Sequence, residues 1–207
     1  MTGLILRDSA KIQVQDAERA NRRLSAGDTP VEPLYTVREA EKILQQLKPV
    51  PYDEAVAVAP GVQACFVEAG HMLGSASIQL LVEDNGGPRR VVFSGDIGPK
   101  GAPILRDPES FAQADLVFLE STYGDRDHQP FTKTVDEFIA VLRQAVARRS
   151  KVLVPTFAVG RAQLLTALLA GIFRQKLLAP FPVFLDSPMA IEASHIYDRH
   201  PELYDDE

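Results

Sequence analysis

Cysteine and histidine are scarce in this sequence, and tryptophan is missing altogether. The 207 residues hold one cysteine, Cys65, and four histidines. A lone thiol leaves no disulfide partner within these residues and suits a reducing compartment, so the expected setting is the cytoplasm. Cys65 reads as a small apolar side chain packed within its strand. No apolar run approaches the roughly 18 residues that a membrane span requires, so no membrane partner is expected. The first residues carry too short an apolar patch, and no basic lead-in, for a secretory signal. An excess of positive charge is absent as well. The formal net charge is -6, which counts against an extended nucleic-acid surface, because neutralised phosphates supply the affinity of such surfaces. It leaves room for an acidic pocket that holds cations, which in turn hold one phosphate.

What is present is ordinary for a globular chain. Hydrophobic residues make up 45% and charged residues 24%, enough for one large or two small domains with a core. The spacing of Val37, Ala40, Ile43, Leu44 and Leu47 predicts a helix, opened by a capping box over Thr36 to Glu39. A largely exposed helix is expected from about Leu6 to Leu24. Strand signals follow at Val62 to Glu68, Ser77 to Glu83, Arg90 to Ser94 and Asp115 to Glu120. Asn85-Gly86-Gly87-Pro88 makes a turn between the second and third of these. The rhythm then changes. A helix capped at Thr134 to Glu137 places Val135, Phe138, Ile139, Leu142 and Val146 on one face. It is followed by a buried strand at Lys151 to Pro155, and then by a helix from Gly160 to about Gln175. The inward side chains of that helix are Leu165, Leu168, Leu169 and Ile172. A strand at Pro182 to Leu185 and a helix started by Ser187-Pro188 complete an alternating layout, which predicts parallel strands. The domain boundary is expected in the loop between Ser121 and Pro130, giving units 1–124 and 125–207.

Three residues stand where apolar runs give way to turns. His71 lies in Gly70-His71-Met-Leu-Gly74-Ser-Ala-Ser77, where small neighbours let backbone approach closely. It reads either as a hydrogen-bonded structural histidine or as a metal ligand. Asp96, in Phe93-Ser-Gly-Asp96-Ile-Gly98, reads either as a turn residue bonding its own backbone or as a carboxylate bridging two cations. Glu120 ends the apolar run Leu116 to Leu119, so its charge at the mouth of a buried strand needs a partner, an arginine or a histidine. Gly124-Asp-Arg-Asp-His128 reads as a solvated loop. In Thr156-Phe-Ala-Val-Gly160-Arg161, the backbone N–H groups and Arg161 could meet a phosphate. Ser187 reads as a helix cap or as a substrate contact.

Taken in order, these segments, together with Glu120-Ser-Thr-Tyr-Gly124-Asp-Arg126 and Asp186-Ser-Pro188, resemble the β-CASP branch of RNA-processing hydrolases in the metallo-β-lactamase superfamily. The resemblance implies a partial αββα sandwich holding two zinc ions, followed by the first half of an αβ cassette with parallel strands. It implies His71 as a ligand of one zinc, Asp96 as the bridging carboxylate, and Glu120 as the acid that orients a proton-donor histidine. The implied reaction is zinc-assisted phosphodiester hydrolysis with RNA as partner, and Arg161 and Ser187 are the candidate substrate contacts. The chain departs from the family at its opening His-x-His-x-Asp-His cluster, which has no counterpart among His71, His128, His195 and His200. The expectation is therefore a middle portion of a longer ribonuclease, with an incomplete metal site and doubtful activity alone. The alternatives are a non-catalytic subunit that pairs with itself or an active partner, and a hydrolase of small esters or thioesters.

Overall fold

The computed structural model describes residues 1–84 and 86–205, so Asn85 of the expected turn lies outside the described residues. The elements in chain order are α1 (Thr2–Asn21), α2 (Val37–Leu44), β1 (Ala55–Ala59), β2 (Val62–Glu68), β3 (Ala76–Asp84), β4 (Gly87–Phe93), β5 (Leu116–Phe118), α3 (Phe131–Ala147), α4 (Arg161–Arg174) and α5 (Pro188–Asp198). The chain is mixed α/β. Its sheet runs β1-β2-β3-β4-β5. The first four strands form an antiparallel meander, and β5 joins β4 in parallel.

The helix α2 starts at its expected capping box. Glu39 accepts hydrogen bonds from the Thr36 backbone N–H at 2.7 Å and from the Thr36 hydroxyl at 2.8 Å, which starts α2. The helix α1 begins at Thr2, earlier than its polar sequence suggested, and buries only Ala10 and Ala17 fully. Strand β1 was missed. Its small alternating residues, Ala55-Val-Ala-Val-Ala59, give a weak signal alone and form a strand because β2 lies beside them.

In the register, Val62, Ala64 and Phe66 share a face with Ile78, Leu80, Val82, Val91, Phe93, Leu116 and Phe118. That face is apolar across its middle, with Glu68 at one end and Arg89, the partner of Val82, at the other. Toward its β5 edge it is open: Phe93 is 39% and Phe118 52% exposed, and their rings stack with centroids 4.8 Å apart. The buried strand expected at Leu116 to Leu119 is instead an exposed edge, because β5 has a neighbour on one side only. The described residues form one five-stranded sheet, not two facing layers.

The second half departs further from expectation. Residues 151–155 and 182–185 carry no strand pairing, and the parallel pairing in the described residues is β4 with β5. Leu153 and Phe184 are almost wholly exposed. An apolar run marks a segment as suited to burial, but a strand also needs a neighbour within hydrogen-bonding reach. Here both segments border an open cleft of about 560 Å³. The helices do bury against each other: Ile139 and Leu142 of α3 meet Ile172 of α4 in a core flanked by Val135, Phe138 and Leu169. Val146, placed on the same face by sequence, is exposed. No helix among the described residues is long and apolar enough to cross a membrane.

Candidate active site

Two strand-end loops meet back to back. The β2–β3 loop carries His71, and the loop after β4 carries Asp96. They are held together through glycine. Gly98 donates its N–H to the Ala69 carbonyl at 2.8 Å, and a Cβ built on Gly98 would fall 1.7 Å from the Gly70 carbonyl oxygen. No side chain fits there. Gly70 itself has φ of +65°, and a Cβ on it would approach the Arg106 carbonyl to 2.9 Å. The small residues around His71 thus do what their sequence pattern suggested: they let backbone touch backbone.

This contact brings the His71 imidazole Nε2 to 3.7 Å from Asp96 Oδ2. The Asp96 side chain is largely exposed, and that of His71 is a third exposed, so both face open solvent and not a core. Each loop is braced from below. The Ser75 hydroxyl accepts the N–H groups of His71 at 3.1 Å and Met72 at 3.2 Å. The buried Glu68 carboxylate accepts the Gly70 N–H at 2.7 Å. Tyr52 donates its hydroxyl to the Ser75 carbonyl at 2.8 Å, and burial, reinforced by the Glu68 charge, pushes its phenol up to about 12.

Glu120 reaches the same place from β5. Its Oε1 accepts the Ile97 N–H at 2.6 Å and its Oε2 the Thr122 hydroxyl at 2.7 Å. Its own N–H donates to the Ser94 hydroxyl at 2.9 Å. The Ile97 N–H first, then the Thr122 hydroxyl, with the His71 ring a smaller contributor, hold this carboxyl below its ordinary value. Its hydrogen-bond partners are a backbone amide and a threonine, not the arginine or histidine expected from sequence. Glu120 therefore clamps the residue next to Asp96.

The second half closes on this site from one side. Gly160, with φ of +80°, opens α4, and a Cβ on it would lie 3.4 Å from Met72 Cβ and 3.8 Å from the His71 carbonyl oxygen. The start of α4, with exposed Arg161 as its first residue, therefore abuts the His71 loop. Gln163, buried, accepts the Gly160 N–H at 2.8 Å and donates to the Ala190 carbonyl and the Ser194 hydroxyl of α5. Tyr197 of α5 reaches across 124 residues, and its hydroxyl accepts the buried Leu73 N–H at 3.0 Å. Ser187 caps α5 by accepting the Ala190 N–H at 3.2 Å and stands by the cleft, not at the His71–Asp96 pair. Neither Gln163 nor Tyr197 carries a sequence signal. Both are polar groups in otherwise apolar helical stripes, and only their distant partners reveal them.

The donor set can be tested for zinc by its chemistry. An imidazole nitrogen and a carboxylate oxygen are the right ligand types, and 3.7 Å is close to the separation of two donors on one tetrahedral ion. A catalytic zinc takes three protein ligands, and no group of three His, Cys, Asp or Glu suited to a metal occurs among the described residues. The pair offers two suitable donors and does not make a zinc site by itself.

Comparison with known proteins identifies relatives of the chain. Residues 162–207 match the Beta-Casp domain. The chain is 38% identical over 176 residues to Ribonuclease TTHA0252 of Thermus thermophilus, covering 85% of this chain and 39% of that protein. It is 35% identical over 174 residues to transcription termination factor FttA of Cenarchaeum symbiosum, covering 82% and 26%. It is 28% identical over 166 residues to an RNase J-like protein of Methanocaldococcus jannaschii, covering 79% and 38%. The chain thus spans well under half the length of these relatives. On these matches, the chain belongs to the β-CASP RNA-processing branch of the metallo-β-lactamase superfamily.

Proposed function

We propose that this chain is part of a zinc-dependent ribonuclease that hydrolyses RNA phosphodiesters in the cytoplasm. The observation that carries the reading is the approach of His71 to Asp96 across the Gly70–Gly98 contact, at one rim of the sheet. In this reading residues 1–124 are part of the metallo-β-lactamase-like domain and 125–207 part of the β-CASP domain. The apolar face shared by β2, β3, β4 and β5 supports a second layer packing there, as an αββα sandwich requires.

His71 and Asp96 would hold zinc, Asp96 as the carboxylate shared by two ions, with the remaining ligands drawn from outside this pair. Bound zinc supplies Lewis-acid activation of water and of a phosphoryl oxygen. The chain's own residues position. Ser75 and Glu68 fix the His71 loop, and Glu120 fixes the Asp96 loop through the Ile97 N–H. With its carboxylate so engaged, Glu120 remains the candidate to orient a proton-donor histidine through its remaining lone pairs. Arg161, at the start of α4, would meet a phosphate with the helix N-terminus behind it. Ser187, whose oxygen already accepts the Ala190 N–H, keeps its O–H proton free to donate to a phosphate.

The test is RNA cleavage by the protein that contains this chain, with and without zinc. Asp96→Asn should lower the rate at least 100-fold while leaving the circular dichroism spectrum unchanged. Zinc-independent cutting, or cutting that survives Asp96→Asn, would overturn the reading.

A further inference from the structure

The net negative charge conceals a segregation. From Phe138 to Leu185 the chain carries seven of its 22 Lys and Arg and none of its 28 Asp and Glu. Arg161 belongs to the candidate site. Five of the others lie at the C-terminal ends of two helices: Arg148, Arg149 and Lys151 just after α3, Arg174 as the last residue of α4, and Lys176 just after it. All are exposed, and none forms an ion pair among the described residues. The two ends flank one core, since Leu142 and Ile172, a few residues before them, pack together.

The backbone makes this arrangement unusual. Both helices end in the same hydrogen-bond motif. The N–H of Ser150 donates to the Ala145 carbonyl and that of Arg149 to Val146; the N–H of Leu177 donates to Ile172 and that of Lys176 to Phe173. The motif puts one residue in the left-handed region, where glycine is the usual occupant because it has no Cβ. Here the occupants are Arg149, with φ of +50°, and Lys176, with φ of +56°. Complementing the helix dipole explains a cation at Arg148 or Arg174, in right-handed backbone and at no conformational cost. It does not explain cations at the two strained positions, where glycine would serve the fold better. Strain kept twice, for the same charge, at corresponding places, points to a use for that charge.

We propose that the ends of α3 and α4 form a second RNA contact, an electrostatic edge that grips the phosphodiester backbone away from the His71–Asp96 pair. The inference rests on RNA being the substrate and adds where a longer strand is held. Charge complementarity commits the partner: a strand of phosphates meets an edge with five cations and no neighbouring anion in the same 48-residue stretch. The edge lies about 21 Å from the candidate site, because the 14 residues of α4 separate Gly160 from it at about 1.5 Å each. Oligonucleotides too short to bridge that distance gain nothing from it.

Binding of a fluorescein-labelled single-stranded homopolymer RNA, measured by anisotropy over a range of KCl concentrations, tests this. The double variant Arg149→Gly/Lys176→Gly should melt a few degrees higher, as the left-handed strain is relieved. It should nevertheless bind the RNA more weakly, with the slope of log affinity against log salt less steep by roughly 1.4, about 0.7 for each lost phosphate contact. Arg148→Gln/Arg174→Gln, which leaves both left-handed residues alone, should reduce the slope similarly. Arg149→Lys, which keeps the charge, should not. The hydrolase reading is tested by RNA cutting in Asp96→Asn, and this proposal by the salt slope of the α3 and α4 variants, so the two ideas fail separately. Unchanged affinity and slope in both charge-removing variants would overturn the proposed edge.

Discussion

Gly98 shows how tightly single residues constrain the candidate site. Its missing side chain is the space in which the Gly70 carbonyl sits, and the two loops carrying His71 and Asp96 touch only because Gly98 has no Cβ there. Gly98→Ala would force the loops apart. Overpacking in a place that cannot yield costs on the order of 3 kcal/mol, which urea unfolding should register. The same substitution should lengthen the His71–Asp96 separation in a crystal structure. An alanine variant as stable as the parent would mean that the loops adjust freely and that the contact does not set the geometry. The sequence contained a clue to this, a run of small residues on each side of His71. It did not contain the identity of the partner, because Gly70 and Gly98 lie on different strands' ends and only the sheet register aligns them.

Among the elements, α5 depends most on a few polar atoms. Its start is capped by Ser187, and its middle is tied to the start of α4 by the buried Gln163 amide. Ser187→Ala removes the acceptor for the Ala190 N–H and should lower stability by about 1 kcal/mol, as N-cap losses do. A calorimetric or denaturant midpoint that does not move would show the cap to be idle. Ser187-Pro188 was readable as a helix start, because a hydroxyl followed by proline suits the first turn. The strands expected beside these helices were not a sound reading. Apolar content at Val152 to Val154 and Val183 to Leu185 reports a preference for burial, while pairing depends on a neighbour, which local sequence does not describe.

Across the molecule, the two halves are coupled at the candidate site itself. Tyr197 of α5 accepts the Leu73 N–H, two residues from His71, and Arg106, from the loop after β4, donates to the carbonyls of Glu202 and Tyr204. Gly160 brings the start of α4 against Met72. The second half therefore packs directly against the His71 loop. Tyr197→Phe keeps the ring but leaves a buried N–H without an acceptor, at a cost of about 1–3 kcal/mol. Amide hydrogen exchange should then quicken at Leu73 and its loop neighbours while the central strands β2 and β3 stay protected. Exchange at Leu73 that matches the parent would show the halves to be independent there. The net charge of -6 is a sum over all residues and does not display the acid-free stretch from Phe138 to Leu185.

Local patterns alone were enough for the presence of the helices and most of the meander, because amphipathic spacing and glycine turns are written in neighbouring positions. They misplaced the start of α3, which begins at Phe131 after Pro130 and not at a cap on Thr134. The resemblance to β-CASP hydrolases rested on the same short strings. Folding had to supply the rest: β5 as an open edge, Gly98 against Gly70, Tyr197 beneath Leu73, and Glu120 on the Ile97 amide. Each of these joins residues far apart in the chain, and a contact of that kind depends on the register and packing of whole elements, which no short stretch of residues encodes.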